Sequence, residues 1–303
     1  MKNIKYKFEY PKTCNMCSTS ADNSKILGRR LNQSQGRKPQ HKIGITVSVM
    51  KCDKCGLIYP NPMPIPEDIQ DHYGVPPEEY WTEEFLTFDE NYYQGYLDIL
   101  ETILPFKKGM KALDIGAGIG KCMYAMEKRG FDAFGIEPSN PFYERAINKM
   151  RVDPEKLKNV QIEDVDFPEN SFDFITFGAV LEHLYNPNSS IKKALTWLKP
   201  GGIIAIEVPN SNWFFAKLFN LIYKISRKDY VTNLSPMHEP FHLYEFTPES
   251  FEANAKLNGY EVARIENWVG EVYGPRYLKR FIKKYMIKTG QGMQLMVWLR
   301  KKS

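Results

Sequence analysis

Residues 110–122 read "MKALDIGAGIGKC": a short apolar run that carries Asp114, then glycines at positions 116, 118 and 120. The run suits a strand buried in a parallel sheet, and alternate glycines let the following turn take left-handed backbone and lie bare beside a ligand. A dinucleotide fingerprint needs G-x-G-x-x-G, the spacing that brings a helix N-terminus close to a pyrophosphate. Here the third glycine falls one place early, at Gly120. The loop therefore fits an adenosyl-amino acid better than a nicotinamide or flavin dinucleotide. Twenty-one residues beyond Gly116, Glu137 closes a second apolar run in "FGIEPS". A carboxylate at that strand end can accept hydrogen bonds from both hydroxyls of a nucleoside ribose.

Strand-like and helical patterns alternate outward from this loop. "KALDIG" is followed by a predicted helix over 120–129 ending at Gly130, then "FDAFGIEP" and a helix with Asn140 as N-cap and Pro141 at its first position. "FDFITFGAV", a helix over 188–198 and "GGIIAIEVPN" come next. Such alternation predicts an α/β fold, a Rossmann-like parallel sheet with helices on both faces, whose ligand binds outside the carboxyl ends of the strands.

Four of the five cysteines come as two pairs, Cys14/Cys17 in "CNMC" and Cys52/Cys55 in "CDKCG". Two intervening residues let both thiolates of a pair reach one tetrahedral Zn²⁺, and the alternating "KIGITVSVMKC" reads as a strand delivering the second pair. The expectation is a structural zinc ribbon over residues 1–60. A linker over 61–91 follows, where prolines 62, 64, 66, 76 and 77, with Pro60 just before it, disfavour a regular helix or central strand at its start. Tyr73, Tyr80, Trp81, Tyr92, Tyr93 and Tyr96 read as packing residues, and Cys122 reads as a small core residue. The remaining domain is 92–303, with an insert at 211–246.

The 303 residues, 43% of them apolar, leave room for one substantial core plus an appendage. No run approaches the ~18 apolar residues of a membrane span and the N-terminus has no apolar leader, so the cytoplasm is the expected location. The formal charge of +5 divides as about +9 over 1–60, −11 over 61–210 and +7 over 211–303. Basic ends around an acidic centre favour anionic partners at the periphery.

Together "ALDIGAGIG", "GIEPS", "FPENSFDFITFGAVLEHLYNP", "LKPGGIIAIEVPN" and "HLYEFTPESFEANAKLNGYEV" resemble, in order, the motifs of class I S-adenosylmethionine-dependent methyltransferases. "CDKCGLIYPNPMP" ahead of them resembles the subgroup with an N-terminal zinc ribbon, which includes methyltransferases of sugars and natural products. The resemblance implies S-adenosylmethionine as cofactor, with Asp114 near its amino group, Gly116, Ala117, Gly118 and Gly120 along it and Glu137 on the ribose. It implies an acid near the adenine, for which Asp164 is favoured over Glu163 and Asp166, and a further lining residue at Ala179. Deoxysugar C-methyltransferases of that subgroup carry a further C-terminal domain, so O-methylation is favoured here.

An oxygen acceptor wants a base beside the methyl group, and histidine has a suitable ordinary pKa. "VLEHLYNP" offers Glu182 and His183; "HEPFHLYEF" offers His238 and His242. His183 is the first choice and His242 the second. The Asn/Asp-Pro-Pro-aromatic turn of base amino-methyltransferases is replaced by "FGAVLEH" and there is no Pro-Cys nucleophile, which disfavours nucleic acid. RNA methylation through the ribbon and basic ends stays open as an alternative, as does a catalytically inactive binding module. Residues 213–228 and 276–288 read as basic amphipathic helices, fit for an anionic small-molecule acceptor, a carrier or a membrane surface.

Overall fold

The computed structural model describes residues 4–31, 45–74, 76–80, 82, 86–89 and 91–302. At the N-terminus β1 (Tyr6–Glu9), β2 (Ser24–Leu31), β3 (Thr46–Cys52), β4 (Ile58–Asn61) and β5 (Met63–Pro66) make a three-stranded antiparallel sheet in the order β2-β3-β4 and a two-stranded ribbon, β1 with β5. The prolines lie in edge strands and not in a central one, in keeping with the sequence expectation. Pro60 lies in β4, an edge strand, and Pro64 and Pro66 lie in β5, which pairs only with β1, so a missing N–H costs no ladder bond on the open side. The start of the stretch expected as a linker, Asn61 in β4 and Met63–Pro66 in β5, is paired within the N-terminal module. Two short helices follow, α1 (Gln70–Tyr73) and α2 (Pro77–Tyr80). Trp81 and the side chain of Tyr80 lie outside the described residues, as do residues 42–44 of the strand expected before Cys52.

The larger domain runs α3 (Gln94–Ile103), β6 (Lys111–Ile115), α4 (Lys121–Arg129), β7 (Asp132–Ile136), α5 (Asn140–Asn148), β8 (Leu157–Lys158), β9 (Phe172–Gly178), α6 (Pro187–Trp197), β10 (Leu198–Pro209), α7 (Phe214–Ile225), α8 (Pro248–Asn258), β11 (Tyr260–Trp268), α9 (Arg276–Thr289) and β12 (Gln294–Lys301). Its seven-stranded sheet has the order β11-β12-β10-β9-β6-β7-β8, with β12 antiparallel to both neighbours and the pairs from β10 to β8 parallel. Side chains alternate across the strands. Leu113, Ile115, Ile175, Phe177, Ile204 and Ile206 join Ile191 of α6 and Phe251 of α8 in one core layer. Ala112, Phe174, Ile203 and Ala205 face the other way, onto Leu97 of α3, Met123 of α4 and Ala146 of α5. Both faces of the sheet are therefore covered, as its near-continuous apolar strands require.

Side-chain caps set the starts of two helices. Ser139, not Asn140, caps α5: its Oγ accepts from the Phe142 N–H at 3.4 Å, which puts Pro141 one place further into the helix than expected. For α6 the cap is Asn186, whose Oδ1 accepts from the Ser189 N–H at 3.1 Å. Strand order reverses between β6 and β9, and the carboxyl ends of β6, β7 and β9 open together there, where such folds bind their ligands.

Candidate active site

A cavity of about 350 Å³ occupies this switch point. Its floor is the turn after β6. Gly116 has φ +73°, and the N–H groups of Gly116 and Ala117 both donate to the Ile136 carbonyl, which pins the loop to β7. A Cβ at Gly116 would meet Val180 Cγ2 at 2.5 Å, so the close approach of the two strand ends demands glycine. Gly118, φ +56°, has nothing closer than Phe142 Cδ1 at 3.8 Å and lies open on the cavity wall. Gly120 differs from both, being the left-handed residue that starts α4 and lying off the cavity wall.

Glu137 lies at the end of β7 with its carboxylate buried against this loop. Its Oε2 accepts from the Gly118 N–H at 2.7 Å and its Oε1 from the Ser139 N–H at 2.7 Å. Each oxygen keeps one lone pair for a ligand. Burial raises its pKa to about 7 against those two N–H groups, which favour the charged form. Asp114, one layer below, is raised to about 8, chiefly by burial and then by the Glu137 charge. Burying two carboxyls side by side is costly without a partner, so the pair fits a ligand carrying hydroxyl donors and a cationic amino group.

The opposite wall comes from the segment after β9 and from the insert. Ala179 lines the cavity with φ +54°, a backbone state that alanine rarely takes. Glu182 Oε1 lies 4.0 Å from His183 Nε2 and 3.8 Å from His242 Nε2, and Glu182 Oε2 is buried without a hydrogen-bond partner among the described residues. The two imidazoles cross at 67° with centroids 4.9 Å apart. His183 Nδ1 is 3.4 Å from the Phe241 carbonyl, a geometry that assigns the proton to Nδ1 and leaves Nε2 free to accept. Burial lowers His183 to about 4; it lowers His242, with help from His183 and His238, to about 3. Glu182 is raised to about 8 by burial and by Glu207. Both rings are neutral at pH 7, the state in which an imidazole accepts a proton. The three ligand atoms lie within 4.8 Å of one another, close enough to hold a metal ion as well.

Below this wall the four cysteines converge. Cys14 and Cys55 sulfurs are 3.6 Å apart, as are those of Cys17 and Cys52, and all four lie within 4.8 Å of one another. Four ligands at Zn–S ~2.3 Å on a tetrahedron stand about 3.8 Å apart, so the set fits a closed tetrahedral centre. Hydrogen bonding from Cys55 lowers Cys14 to about 6, and burial raises Cys52 to about 11. Thiols crowded this way are poorly served by protons and well served by a cation.

A family model described as a methyltransferase domain matches residues 88–265, more than half of the chain. The chain belongs to the class I methyltransferase family. A ubiquinone biosynthesis O-methyltransferase of Coxiella burnetii (strain Dugway 5J108-111) is 32% identical over 133 residues, 43% of this chain and 54% of that protein. Its namesake from Rhodopseudomonas palustris (strain TIE-1) is 30% identical over 110 residues, 35% of this chain and 42% of that protein. The chain thus spans about half the length of these curated relatives. An S-adenosylmethionine-dependent methyltransferase structure from Mesorhizobium loti superposes with a TM-score of 0.48 at 14% identity, over 67% of this chain and 96% of that one.

Within this methyltransferase, Gly116, Gly118, Glu137, Ala179, His183 and His242 share the cavity wall. Asp114 and Ala117 sit buried just beneath it. Asp164, favoured from the sequence for the adenine edge, is exposed and off the wall; Glu163 lines the cavity in its place, with Gln161 and Ile162. His238 is turned away from the cavity toward Arg30, whose Nη2 is 3.4 Å from its Nε2. Tyr73 corrects the packing assignment. Gln70 Nε2 donates to the Pro138 carbonyl at 2.9 Å and Ser139 Oγ to the Tyr73 carbonyl at 2.6 Å, which holds α1 against the loop after β7 and sets the Tyr73 ring on the wall. That ring meets His183 edge-on with centroids 5.8 Å apart. By contrast Tyr93 is a packing residue, its hydroxyl 2.8 Å from Thr176 Oγ1 in the core.

Proposed function

We propose that this methyltransferase transfers a methyl group from S-adenosylmethionine to an oxygen of a small molecule, with a structural Zn²⁺ held by Cys14, Cys17, Cys52 and Cys55. One observation carries the reading: Glu137, fixed by the Gly118 and Ser139 amides, and the His183/His242 pair face each other across a single cavity. When bound, S-adenosylmethionine supplies a methyl group on a sulfonium that leaves without further activation. The chain's own residues hold the cofactor, orient the acceptor, exclude water and remove one proton. Glu137 takes the ribose hydroxyls on its two remaining lone pairs. Asp114 faces the amino group of the methionine part, and Gly116 and Gly118 give it bare backbone to lie on.

His183 Nε2 is the base for the acceptor hydroxyl. Its Nδ1–H is steadied by the Phe241 carbonyl, and Glu182 Oε1, 4.0 Å from Nε2, stabilises the imidazolium in the ionised fraction of that carboxyl, which grows as pH rises toward about 8. Among the described residues no lysine or arginine lines the cavity, so the reacting part of the acceptor is neutral and any anionic part, as in a nucleotide- or carrier-linked sugar, stays outside. The test is incubation of a cell extract with the protein and methyl-labelled cofactor, followed by mass spectrometry. Label in a small polar metabolite, with S-adenosylhomocysteine binding and no NAD binding by calorimetry, supports the reading. Label confined to RNA overturns it, and binding without any turnover would mark an inactive module.

A further inference from the structure

α7 and α9 lie together at one side of the domain, joined by Phe215, Val269, Val272 and Met286 in a small core of their own. Each helix also presents apolar side chains to solvent. On α7 these are Leu218, Leu221, Ile222 and Ile225, at i, i+3, i+4 and i+7, opposite the buried Ala216 and Tyr223, with the buried Phe215 at the edge of the stripe. On α9 Tyr277, Phe281 and Tyr285 form a stripe beside buried Met286. Ile225 is 74% exposed, Tyr277 75% and Phe281 70%, values at which a core residue has been left outside the fold. The two stripes meet where the Phe214 and Tyr285 rings pack at 5.7 Å between centroids. Residues 213–228 and 276–288 carry ten lysines and arginines and no acid.

The geometry points to this double-helix face as a docking surface for an anionic lipid membrane, with the apolar stripes entering the headgroup boundary and the lysines and arginines meeting lipid phosphates. The charge pattern selects the occupant. A second copy of the chain would bring ten cations against ten cations in a two-fold contact, and a purely electrostatic partner such as RNA would leave the apolar stripes unpaired. Paired stripes of large apolar residues flanked by Lys and Arg are what an interfacial helix uses. Docking is independent of the chemistry in the cavity, so membrane binding and the proposed activity fail separately.

The test is co-sedimentation of the full chain with vesicles of phosphatidylcholine alone and of phosphatidylcholine mixed with phosphatidylglycerol. Binding is expected on the mixed vesicles and to fade as salt rises. Ile225→Glu/Phe281→Glu should weaken it by about tenfold or more through the lost apolar contact. Lys283→Gln/Lys284→Gln, both at exposed positions, should weaken it by about tenfold on anionic vesicles only. Calorimetry with S-adenosylhomocysteine confirms that each variant is folded. Equal affinity for both vesicle types, parent-like binding by the glutamate variant, or retention by an acidic carrier protein without vesicle binding overturns the inference.

Discussion

Replacing Glu137 tests the cofactor site most directly. The carboxylate already holds two backbone N–H groups at 2.7 Å each, one per oxygen, and offers one further lone pair on each oxygen to the ribose. Hydrogen bonds to a charged acceptor are worth about 1.5–3 kcal/mol apiece, so losing both ribose contacts costs at least about 3 kcal/mol, or roughly a hundredfold in Kd. Glu137→Ala also leaves the Gly118 and Ser139 N–H groups unpaired and slackens the loop. Its loss should exceed that value, and its melting temperature should fall. Glu137→Gln keeps the shape but turns an NH₂ toward one of the two N–H donors. It should weaken binding by about tenfold or more, with a smaller change in melting. Calorimetric titration with S-adenosylhomocysteine, beside thermal melting, separates affinity from folding. Glu137→Ala that melts cooperatively and binds within about threefold of the parent would refute the assignment of the ribose to this carboxylate.

Three other outcomes follow from the same geometry. Cys52→Ser should drop metal content from about one zinc per chain to near zero and unfold the N-terminal module first, because binding energy there is folding energy; elemental analysis and limited proteolysis report both. His183→Asn should lower turnover by about 10²-fold with S-adenosylhomocysteine affinity nearly unchanged, whereas a defect confined to His242→Asn would move the base to the insert. Asp114 holds its proton up to about pH 8 when folded but only to about pH 4 when unfolded, so the cofactor-free protein loses stability as pH rises through that window; Asp114→Asn should remove this loss, on the order of 5 kcal/mol at about pH 8.5 and almost nothing near about pH 3, as denaturant melts at the two pH values will show.

The parts of the site that the sequence revealed are those whose chemistry is local. Gly116 and Gly118 follow a strand within a few residues, Glu137 ends the next strand, and each CxxC pair forms one knuckle, so spacing alone carries the geometry. Residues placed by tertiary contacts were not legible. Tyr73 reaches the wall through bonds to partners far along the chain, Gln70 to the Pro138 carbonyl and Ser139 to the Tyr73 carbonyl. Glu163 rather than Asp164 faces the cavity because a short 3₁₀ turn over Ile162–Asp164 buries Ile162 and so sets which neighbour points inward; three acids within a few positions hide that register. Ser139 displaced Asn140 as cap because Glu137 already binds the Ser139 N–H, which fixes that residue outside the helix. Pro60, Pro64 and Pro66 excluded a central strand but could not say that edge strands form there, since an edge strand tolerates what a central one does not.

The four-cysteine module also has a mechanical reason to sit in this methyltransferase. Thr247 Oγ1 donates to the Cys55 carbonyl at 2.6 Å and Ser211 Oγ to the Gly56 carbonyl at 3.3 Å, while Ile58 and Glu245 exchange backbone bonds at 2.9 and 3.1 Å. From the first knuckle, Asn15 Nδ2 donates to Tyr244 Oη at 2.6 Å, and Tyr244 Oη in turn donates to the Tyr185 carbonyl at 2.9 Å. The segment clasped in this way, 243–247, is the one whose Leu243 N–H donates to the Glu182 carbonyl at 2.8 Å, and it adjoins His242. Both knuckles therefore brace the wall that carries Glu182, His183 and His242, and the cysteines themselves belong to the core layer beneath β9 and β10. A ribbon serving only as a hook for nucleic acid would have no need of these bonds. Its position makes it a buttress for the acceptor side of the cavity, so metal loss should impair turnover more than it impairs cofactor affinity, which rests on Glu137 and the glycine loop across the sheet's switch point.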